Sequence, residues 1–241
     1  MIVIGHRGAN RQALENTWDS FQQAIKAGCQ RIEFDVRITS DENLIVMHDS
    51  STHRTSNLDL KTRDLTSLDL KSIRLKNGEP IPLLPEVLKK LAAKIELNIE
   101  IKSPGKKCVS QVIKLANKQR RNKDIIISTF NPATFRILGR YPGNYRPALL
   151  WDKSAKSLQK MNQVKKIMNE CKADIFHPHV SLVNRNVMNL CREQNWSVYP
   201  YIGVTEENKN PRKIWHKMKH FGVDGLCTNF PKELAYWLKE N

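Results

Sequence analysis

The sequence contains no long apolar run, and none of its apolar stretches approaches the roughly 18 residues that a membrane-spanning helix needs. Residues 1–7 carry no basic region ahead of their short apolar run, so we expect no signal peptide. The 10 glycines and 11 prolines among 241 residues are too few for a low-complexity or collagen-like chain. With 40% hydrophobic and 27% charged residues, the composition is that of an ordinary globular protein rather than a disordered one.

Cysteines are also few, and they lack metal-binding spacing. No two of the five lie closer than 20 positions, so the sequence has no Cys-X-X-Cys pair and no zinc pattern. An odd number of cysteines without an export signal predicts reduced, structural thiols and a cytoplasmic location. The cysteines are Cys29, Cys108, Cys171, Cys191 and Cys227.

Positive charge is abundant: 40 Lys and Arg against 24 Asp and Glu give a formal net charge of +16. Such a charge attracts anions, whether nucleic acid, an acidic membrane surface or a phosphorylated substrate. It also fits a merely solvated basic surface. Because no basic stretch is interleaved with aromatic residues, we expect no nucleic-acid partner. We expect no stable membrane insertion either, and membrane contact only as peripheral attraction through the basic surface.

Short apolar, β-branched segments alternate with longer segments of helical periodicity, which predicts parallel strands joined by helical crossovers. With 44–47 counted as an accessory strand, eight strand–helix units in 241 residues predict a TIM (β/α)8 barrel. An open doubly wound α/β sheet is the alternative, because counting strands cannot show closure. The predicted strands are 1–5, 31–36, 44–47, 95–101, 125–128, 147–151, 174–176, 197–201 and 223–227. The predicted helices are 17–27, 84–93, 106–120, 132–139, 154–170, 183–194, 211–220 and 231–239.

No linker or change of composition divides the chain, so we expect a single domain over residues 1–241. Residues 50–82 contain no regular strand and carry turn signals at Asn77-Gly78, Pro80 and Pro82. They are interpreted as a small insertion after the second strand–helix unit, with a lid or a cap as its role. The sequence does not distinguish a monomer from a homodimer.

Acidic residues interrupt two strands that should be apolar on both faces. Glu33 and Asp35 alternate with apolar neighbours on the second strand, and Glu100 lies near the end of a later one. Because active sites of barrels collect at the carboxyl ends of strands, these carboxylates are expected to converge. Oxygen ligands of this kind suit Mg²⁺ or Ca²⁺ better than zinc. The alternative is that each acid is neutralised by a nearby basic side chain: Arg31, Arg37 or Lys102.

Two histidines and two cations lie at the same strand ends. His6 and His48 can each take or give a proton near neutral pH, although a lone histidine is more often structural. Arg7 and Lys102 offer fixed positive charge, and an arginine guanidinium suits bidentate contact with phosphate. Together with a divalent cation, these groups favour phosphoryl transfer over glycosidic or peptide hydrolysis.

A series of motifs, in order from residue 5 to residue 231, resembles the glycerophosphodiester phosphodiesterase family. Each motif alone is weak, but the ordered set is highly specific and covers nearly the whole chain. The matching segments are Gly5-His6-Arg7-Gly8-Ala9 with Glu15-Asn16-Thr17, Glu33-Phe34-Asp35-Val36, Met47-His48-Asp49 with Arg54-Thr55, Asn98-Ile99-Glu100-Ile101-Lys102, Ser128-Thr129-Phe130, and Gly222-Val223-Asp224-Gly225-Leu226-Cys227-Thr228-Asn229-Phe230-Pro231.

The resemblance implies a TIM barrel that hydrolyses small glycerophosphodiesters, such as glycerophosphocholine or glycerophosphoethanolamine, to sn-glycerol 3-phosphate and an alcohol. It implies that His6 and His48 form the acid–base pair. It also implies that a divalent metal ion, Mg²⁺ or Ca²⁺, is held by carboxylates and that two basic side chains contact the phosphate. By this resemblance the ligands of the metal ion are Glu33, Asp35 and Glu100, and the side chains that contact the phosphate are Arg7 and Lys102.

One region departs from the family pattern. Trp196 matches a late tryptophan motif and is a candidate wall of the substrate site, but Tyr199 and Pro200 replace the small polar pair expected after it. His177 and His179 are unusual. They end a predicted strand, so they either face the site or lie in a surface turn, and we expect the turn. The pattern decides neither which histidine is the acid nor whether water or the glycerol hydroxyl attacks through a cyclic phosphate.

Three other functions compete with this interpretation. A phospholipase D-like enzyme on lysophospholipids would use the same barrel, and the basic surface would suit membrane substrates. A nucleic-acid-binding protein explains the charge but not the acids and histidines at strand ends. An inactive scaffold is disfavoured because every expected catalytic position is filled.

Overall fold

The computed structural model describes residues 1–119, 125–152 and 158–241. Predicted and observed strands agree to within a few residues, except at 197–201. The observed strands are β1 Ile2–His6, β2 Arg31–Ile38, β3 Leu44–Val46, β4 Glu96–Ile101, β5 Ile125–Thr129, β6 Arg146–Trp151, β7 Ile175–Pro178, β8 Ser197–Val198 and β9 Gly225–Thr228. Strand β8 is short, and Pro200 beyond it has no N–H to donate on the side that faces β9.

Each of the eight predicted helices has an observed counterpart in the described chain, whereas the helices at 67–72 and 204–209 were not predicted. Residue 120 of the predicted helix 106–120 and residues 154–157 of the predicted helix 154–170 lie outside the described residues. The helices are α1 Trp18–Lys26, α2 Ser67–Ser72, α3 Leu84–Leu91, α4 Lys106–Asn117, α5 Pro132–Arg140, α6 Leu158–Glu170, α7 Arg185–Glu193, α8 Val204–Lys209, α9 Pro211–Phe221 and α10 Pro231–Glu240.

Eight parallel strands form a TIM barrel, which confirms the predicted fold class. Hydrogen-bonded neighbours run β8-β7-β6-β5-β4-β2-β1-β9, and β3 pairs antiparallel with β2 beside this path. The sheet closes between its two ends, because Tyr201 bridges Cys227 in parallel and Asp224 donates its backbone N–H to the Val198 carbonyl at 3.0 Å. The open doubly wound alternative is therefore wrong.

Apolar side chains cover both faces of the barrel strands. The larger layer lies between the strands and the surrounding helices, and helices present a buried stripe to it, as Val109, Val112 and Ala116 of α4 do. A smaller cluster from alternate strand positions fills the inside of the barrel: Ile4, Ile126, Ala148, Ile175, Tyr199 and Cys227. Side chains that follow these inner residues by two positions point toward the carboxyl-end mouth.

Residues 50–82 follow β3 and precede α3. They contain a short 3-10 helix, Thr62–Asp64, and helix α2, and they bury a separate apolar cluster with β3. Its members are Ile45, Met47, Leu65, Leu70, Ile73, Leu75 and Ile81. Throughout the described residues, no helix is both long enough and apolar enough to cross a membrane.

Candidate active site

The turn after β1 places the first catalytic candidates at the mouth. Arg7 has a φ of 55° and Gly8 a φ of 83°, so the chain reverses sharply directly after His6. A Cβ atom on Gly8 would come within 2.5 Å of the Ser20 side chain, which explains the glycine. The turn aims the Arg7 backbone N–H at Glu33, with 3.0 Å between Arg7 N and Glu33 Oε2.

Three carboxylates converge at this turn, as the strand positions predicted. Asp35 on β2 is directly opposite Glu100 on β4, and Glu33 lies two residues earlier on the same face. One oxygen from each lies within 4.8 Å of the other two, and all three residues are buried. Glu33 Oε1 is a buried oxygen with no hydrogen-bond partner among the described residues. A cluster of this kind has the ligand chemistry that Mg²⁺ or Ca²⁺ requires.

Two basic side chains from the predicted set lie against the cluster. Arg7 Nε is 3.2 Å from Asp35 Oδ2, and Lys102 Nζ is 3.3 Å from Asp35 Oδ1. Lys102 also contacts Glu100 directly. Neutralisation by nearby bases, the alternative to a cation site, is therefore realised at Asp35 and Glu100 but leaves Glu33 without an Arg or Lys side-chain partner among the described residues.

The other two bases of that alternative do not touch the cluster. Arg31 pairs with Glu96 at 2.5 Å, and Arg37 donates from Nε to the backbone carbonyl of His48 at 2.8 Å. Arg31 therefore neutralises an acid of β4, and Arg37 holds the backbone of the His48 loop.

The three acids differ in the direction of their pKa shifts: two are raised and one is lowered. Burial, reinforced by the charges of Asp35 and Glu100, raises the pKa of Glu33 well above its ordinary value. Burial also raises the pKa of Glu100 to about 7, although Lys102 opposes the shift. Burial would raise the pKa of Asp35 too, but Arg7 and Lys102 outweigh it and lower that pKa. Repulsion between buried acids is what a bound divalent cation relieves.

His6 is fixed by a buried hydrogen-bond chain. Its Nδ1 lies 2.7 Å from Asn229 Oδ1, so Nδ1 carries the proton and Nε2 is left free. The Asn229 side chain donates in turn from Nδ2 to Glu207 Oε2 at 2.7 Å, and Glu207 accepts further bonds from Thr228 and from the Asn229 backbone. His6 Nε2 is 3.9 Å from Glu33 Oε2. Burial, together with the charge of Arg7, lowers the pKa of His6 to about 3.

His48 is held differently, on the loop after β3. Its Nδ1 lies 2.6 Å from Asp49 Oδ1, and Asp49 accepts from Arg54 Nε at 2.6 Å. Arg54 also forms a bidentate pair with Glu15, at 2.5 and 2.6 Å. Burial lowers the pKa of His48. Nδ1 is thus engaged, whereas Nε2 has no hydrogen-bond partner in the part of the chain that the structure describes.

A cavity of about 210 Å³ joins these groups. Of the predicted site residues, the cavity wall includes His6, Arg7, Glu33, His48, Glu100 and Lys102. Asp35 is 0% exposed and lies beneath them. The opposite wall is mainly apolar and aromatic, and it consists of Phe130, Leu150, His177, Tyr201, Ile202, Gly203 and Cys227.

Two predictions about this wall are wrong. Trp196 is not part of the cavity wall. It precedes Ser197, which pairs with Ile175 at the amino end of β7, away from the mouth. Its ring packs against Phe176 in the apolar layer between strands and helices. Tyr201 supplies the aromatic wall instead. His177 does not lie in a surface turn; it is 1% exposed, lines the cavity, and accepts at Nε2 a hydrogen bond from Asn98 Nδ2 at 3.2 Å.

A TIM barrel that gathers proton-transfer groups and fixed positive charge at its carboxyl-end mouth has the equipment of a phosphoryl-transfer enzyme. The sequence profile of the Glycerophosphoryl diester phosphodiesterase family matches residues 6–233. The chain belongs to this family and is a phosphoric diester hydrolase.

Individual relatives agree with the family. The chain is 28% identical over 246 residues to a glycerophosphodiester phosphodiesterase of Caldanaerobacter subterraneus subsp. tengcongensis, with 97% of this chain and 96% of the relative covered. The glycerophosphodiester phosphodiesterase structure from Thermotoga maritima superposes with a TM-score of 0.80 at 26% identity, covering 100% and 98% of the two chains. An Oleispira antarctica phosphodiesterase, solved with its product sn-glycerol-3-phosphate, shares the fold with a TM-score of 0.85 at 19% identity and coverage of 99% and 97%.

Proposed function

We propose that this enzyme hydrolyses small glycerophosphodiesters to sn-glycerol 3-phosphate and an alcohol, with His6 and His48 as the acid–base pair and a divalent cation held by Glu33, Asp35 and Glu100. The observation that carries the proposal is the shared cavity: both histidines line it, and each has Nδ1 engaged and Nε2 free. The product named in the Oleispira antarctica structure supports the choice of substrate.

Arg7 and Lys102 are proposed to bind the phosphate. Both are cations on the cavity wall, and their ion pairs with Asp35 hold them in place. A phosphate beside them would lie in a partly desolvated site, where charge-assisted hydrogen bonds are strong. These contacts orient phosphorus between the two histidines.

His6 and His48 are proposed to move the protons of the reaction. His6 has Nδ1 engaged by Asn229, which leaves the lone pair of Nε2 to take a proton from the attacking hydroxyl. Burial lowers the pKa of His48, but the Asp49 carboxylate opposes this shift by stabilising the protonated ring, so His48 suits protonation of the departing alcohol. The attacking hydroxyl is either water or the glycerol hydroxyl, the latter giving a cyclic phosphate first.

The residues present fit a divalent cation, because Glu33 has an unpartnered buried oxygen within a cluster of three acids. When bound, Mg²⁺ or Ca²⁺ would neutralise negative charge on the phosphate and on the acids.

Release of sn-glycerol 3-phosphate from glycerophosphocholine tests the proposal. We expect EDTA to abolish release and either Mg²⁺ or Ca²⁺, added back separately, to restore it. Lysophosphatidylcholine in the same assay tests the phospholipase D-like alternative and should be hydrolysed far more slowly. Turnover that is indifferent to EDTA, or that occurs only with the lysophospholipid, would contradict the proposal.

The setting of the enzyme is part of the proposal. All five cysteines are free and buried, which supports a cytoplasmic location with reduced thiols. A monomer or homodimer is proposed, with a small-molecule substrate and at most peripheral attraction of the basic surface to membranes.

A further inference from the structure

A second groove, of about 510 Å³, lies beside the loops that carry His48 and Lys102. Its charged side chains are three cations and one acid, and most of the remaining wall bears hydroxyl groups. The lining residues are Arg37, Lys61, Arg63, Asp59, Ser50, Ser51, Thr62, Ser103 and Pro104. Neither the proton transfers nor the carboxylate cluster uses these side chains.

Arg37 connects the groove to the catalytic loop. It follows Glu33 and Asp35 on the same face of β2, two residues further toward the mouth. Its Nε donates to the His48 carbonyl at 2.8 Å. Within the described parts of the chain its two terminal nitrogens form no ion pair and no hydrogen bond with protein.

Lys61 and Arg63 project from a fixed turn. Thr62 between them is buried and donates from both its backbone N and its Oγ1 to the Ser50 carbonyl, at 2.9 and 3.2 Å. The Lys61 backbone also bridges Ser51. Among the described residues Lys61 has no ion pair, and Arg63 Nε lies 3.6 Å from Asp64. The turn therefore fixes the backbone of both cations beside Ser50 and Ser51, which follow His48 by two and three residues, and only Arg63 has an ion pair among the described residues.

We infer that this groove is a subsite for an anionic group on the alcohol portion of the substrate. The favoured class is then glycerophosphodiesters whose alcohol bears a carboxylate or a further phosphate. Cations beside hydroxyl donors bind such groups, and through Arg37 the groove adjoins the backbone of the histidine proposed to protonate the alcohol. This inference rests on the proposed function.

Matched substrates test it. Glycerophosphoserine and glycerophosphoethanolamine differ by one carboxylate, and glycerophosphoinositol 4-phosphate and glycerophosphoinositol differ by one phosphate. We expect the enzyme to have the higher kcat/KM for the anionic member of at least one pair. The double variant Lys61→Gln/Arg63→Gln should lower that preference about 5-fold, since each contact from an exposed charge contributes modestly. Its kcat/KM for glycerophosphoethanolamine should stay within about 2-fold of the parent.

The control variant Lys89→Gln/Lys114→Gln removes the same charge from exposed positions on α3 and α4. It should leave the preference unchanged; an equal loss in the control would show that only the overall charge matters and would overturn the subsite. No preference in the parent enzyme would overturn it as well.

Calorimetry keeps the two proposals distinguishable. If no diester is hydrolysed, the proposed function fails. The binding of inositol 4-phosphate then tests the anionic subsite independently of any activity. Tighter binding by the parent chain than by Lys61→Gln/Arg63→Gln supports the subsite, and equal binding overturns it.

Discussion

The two sides of the mouth hold their histidines in contrasting ways. On the barrel side, His6 is anchored through Asn229 to Glu207, and these two supports are 1% and 0% exposed. On the insertion side, His48 depends on Asp49 and Arg54, whose side chains are 30% and 47% exposed. One histidine is built into the closed sheet and the other is held by surface ion pairs.

This difference follows from where each support comes from in the fold. Asn229 directly follows β9, which hydrogen-bonds to β1, so moving His6 requires distorting the barrel. Asp49 directly precedes residues 50–82 and Arg54 lies within them, at the surface, where exposed ion pairs are individually weak. We expect the barrel side to hold His6 in one position and the insertion side to let His48 adjust its position to the substrate.

The largest effect should come from the feature that both sides share, the carboxylate cluster. Glu100→Gln removes one proposed cation ligand while keeping its shape, and we expect kcat/KM to fall about 10³-fold, because a metal supplies several kcal/mol of transition-state stabilisation. Titration with Mn²⁺, followed calorimetrically, should show weakened binding. Glu86→Gln, an exposed acid on α3, is the control and should change neither quantity. Intact Mn²⁺ binding in Glu100→Gln would remove this acid from the site.

The histidine variants should lose activity to a degree comparable with Glu100→Gln, and the two should differ in which substrate restores the rate. His6→Ala and His48→Ala are each expected to lose about 10²–10⁴-fold in turnover of glycerophosphocholine. A glycerophosphodiester of p-nitrophenol needs no acid for its leaving group. We therefore expect it to rescue His48→Ala but not His6→Ala.

The exposed residue His53, in the same loop region, supplies the control. His53→Ala should retain parental rates on both substrates. Rescue of His6→Ala instead would reverse the assigned roles, and full activity in both catalytic variants would refute them.

A smaller effect should distinguish the supports of the two histidines. Glu207→Gln should lower kcat about 10-fold with little change in KM, because losing one buried hydrogen bond of the chain frees the Asn229 amide to turn. Nitrogen NMR of His6 should then show a mixture of tautomers, which a general loss of stability would not produce. Asp49→Asn should cost less, since water can reach its site. An unchanged His6 tautomer in Glu207→Gln would leave Glu207 as a purely structural residue.

The barrel and most of its site could be predicted from the sequence because polar residues break apolar strands at their carboxyl ends. Glu33, Asp35 and Glu100 sit on strands whose alternation is visible, so their convergence followed from the fold. His6 and His48 follow apolar segments in the same way. The structure brings the predicted acids and histidines together, whereas their roles stay predictions.

Other site residues had no such signal. His177 follows Ile175 and Phe176, of which one faces the barrel interior and the other the helices. Both are apolar because a parallel strand is covered on both faces, so the sequence cannot say which way His177 points. Glu207 lies in a polar segment for which no helix was predicted, and only closure between β8 and β9 brings it to Asn229.

The smallest expected effect concerns stability at the junction of the two sides, where Glu15 bonds to Arg7 from the barrel and Arg54 from the insertion. Burial would raise the pKa of Glu15, but the two arginines outweigh it and hold that pKa below its ordinary value of 4.5. An acid with a lowered folded-state pKa stabilises the fold above its unfolded pKa and loses this contribution as the pH falls. Glu15→Gln should therefore lower the free energy of unfolding by about 1–2 kcal/mol at pH 7. Urea unfolding should show the difference shrinking below about pH 4.5, while Glu86→Gln stays near the parent throughout; a gap that widens in acid would mean that Glu15 is not held ionised by its arginines.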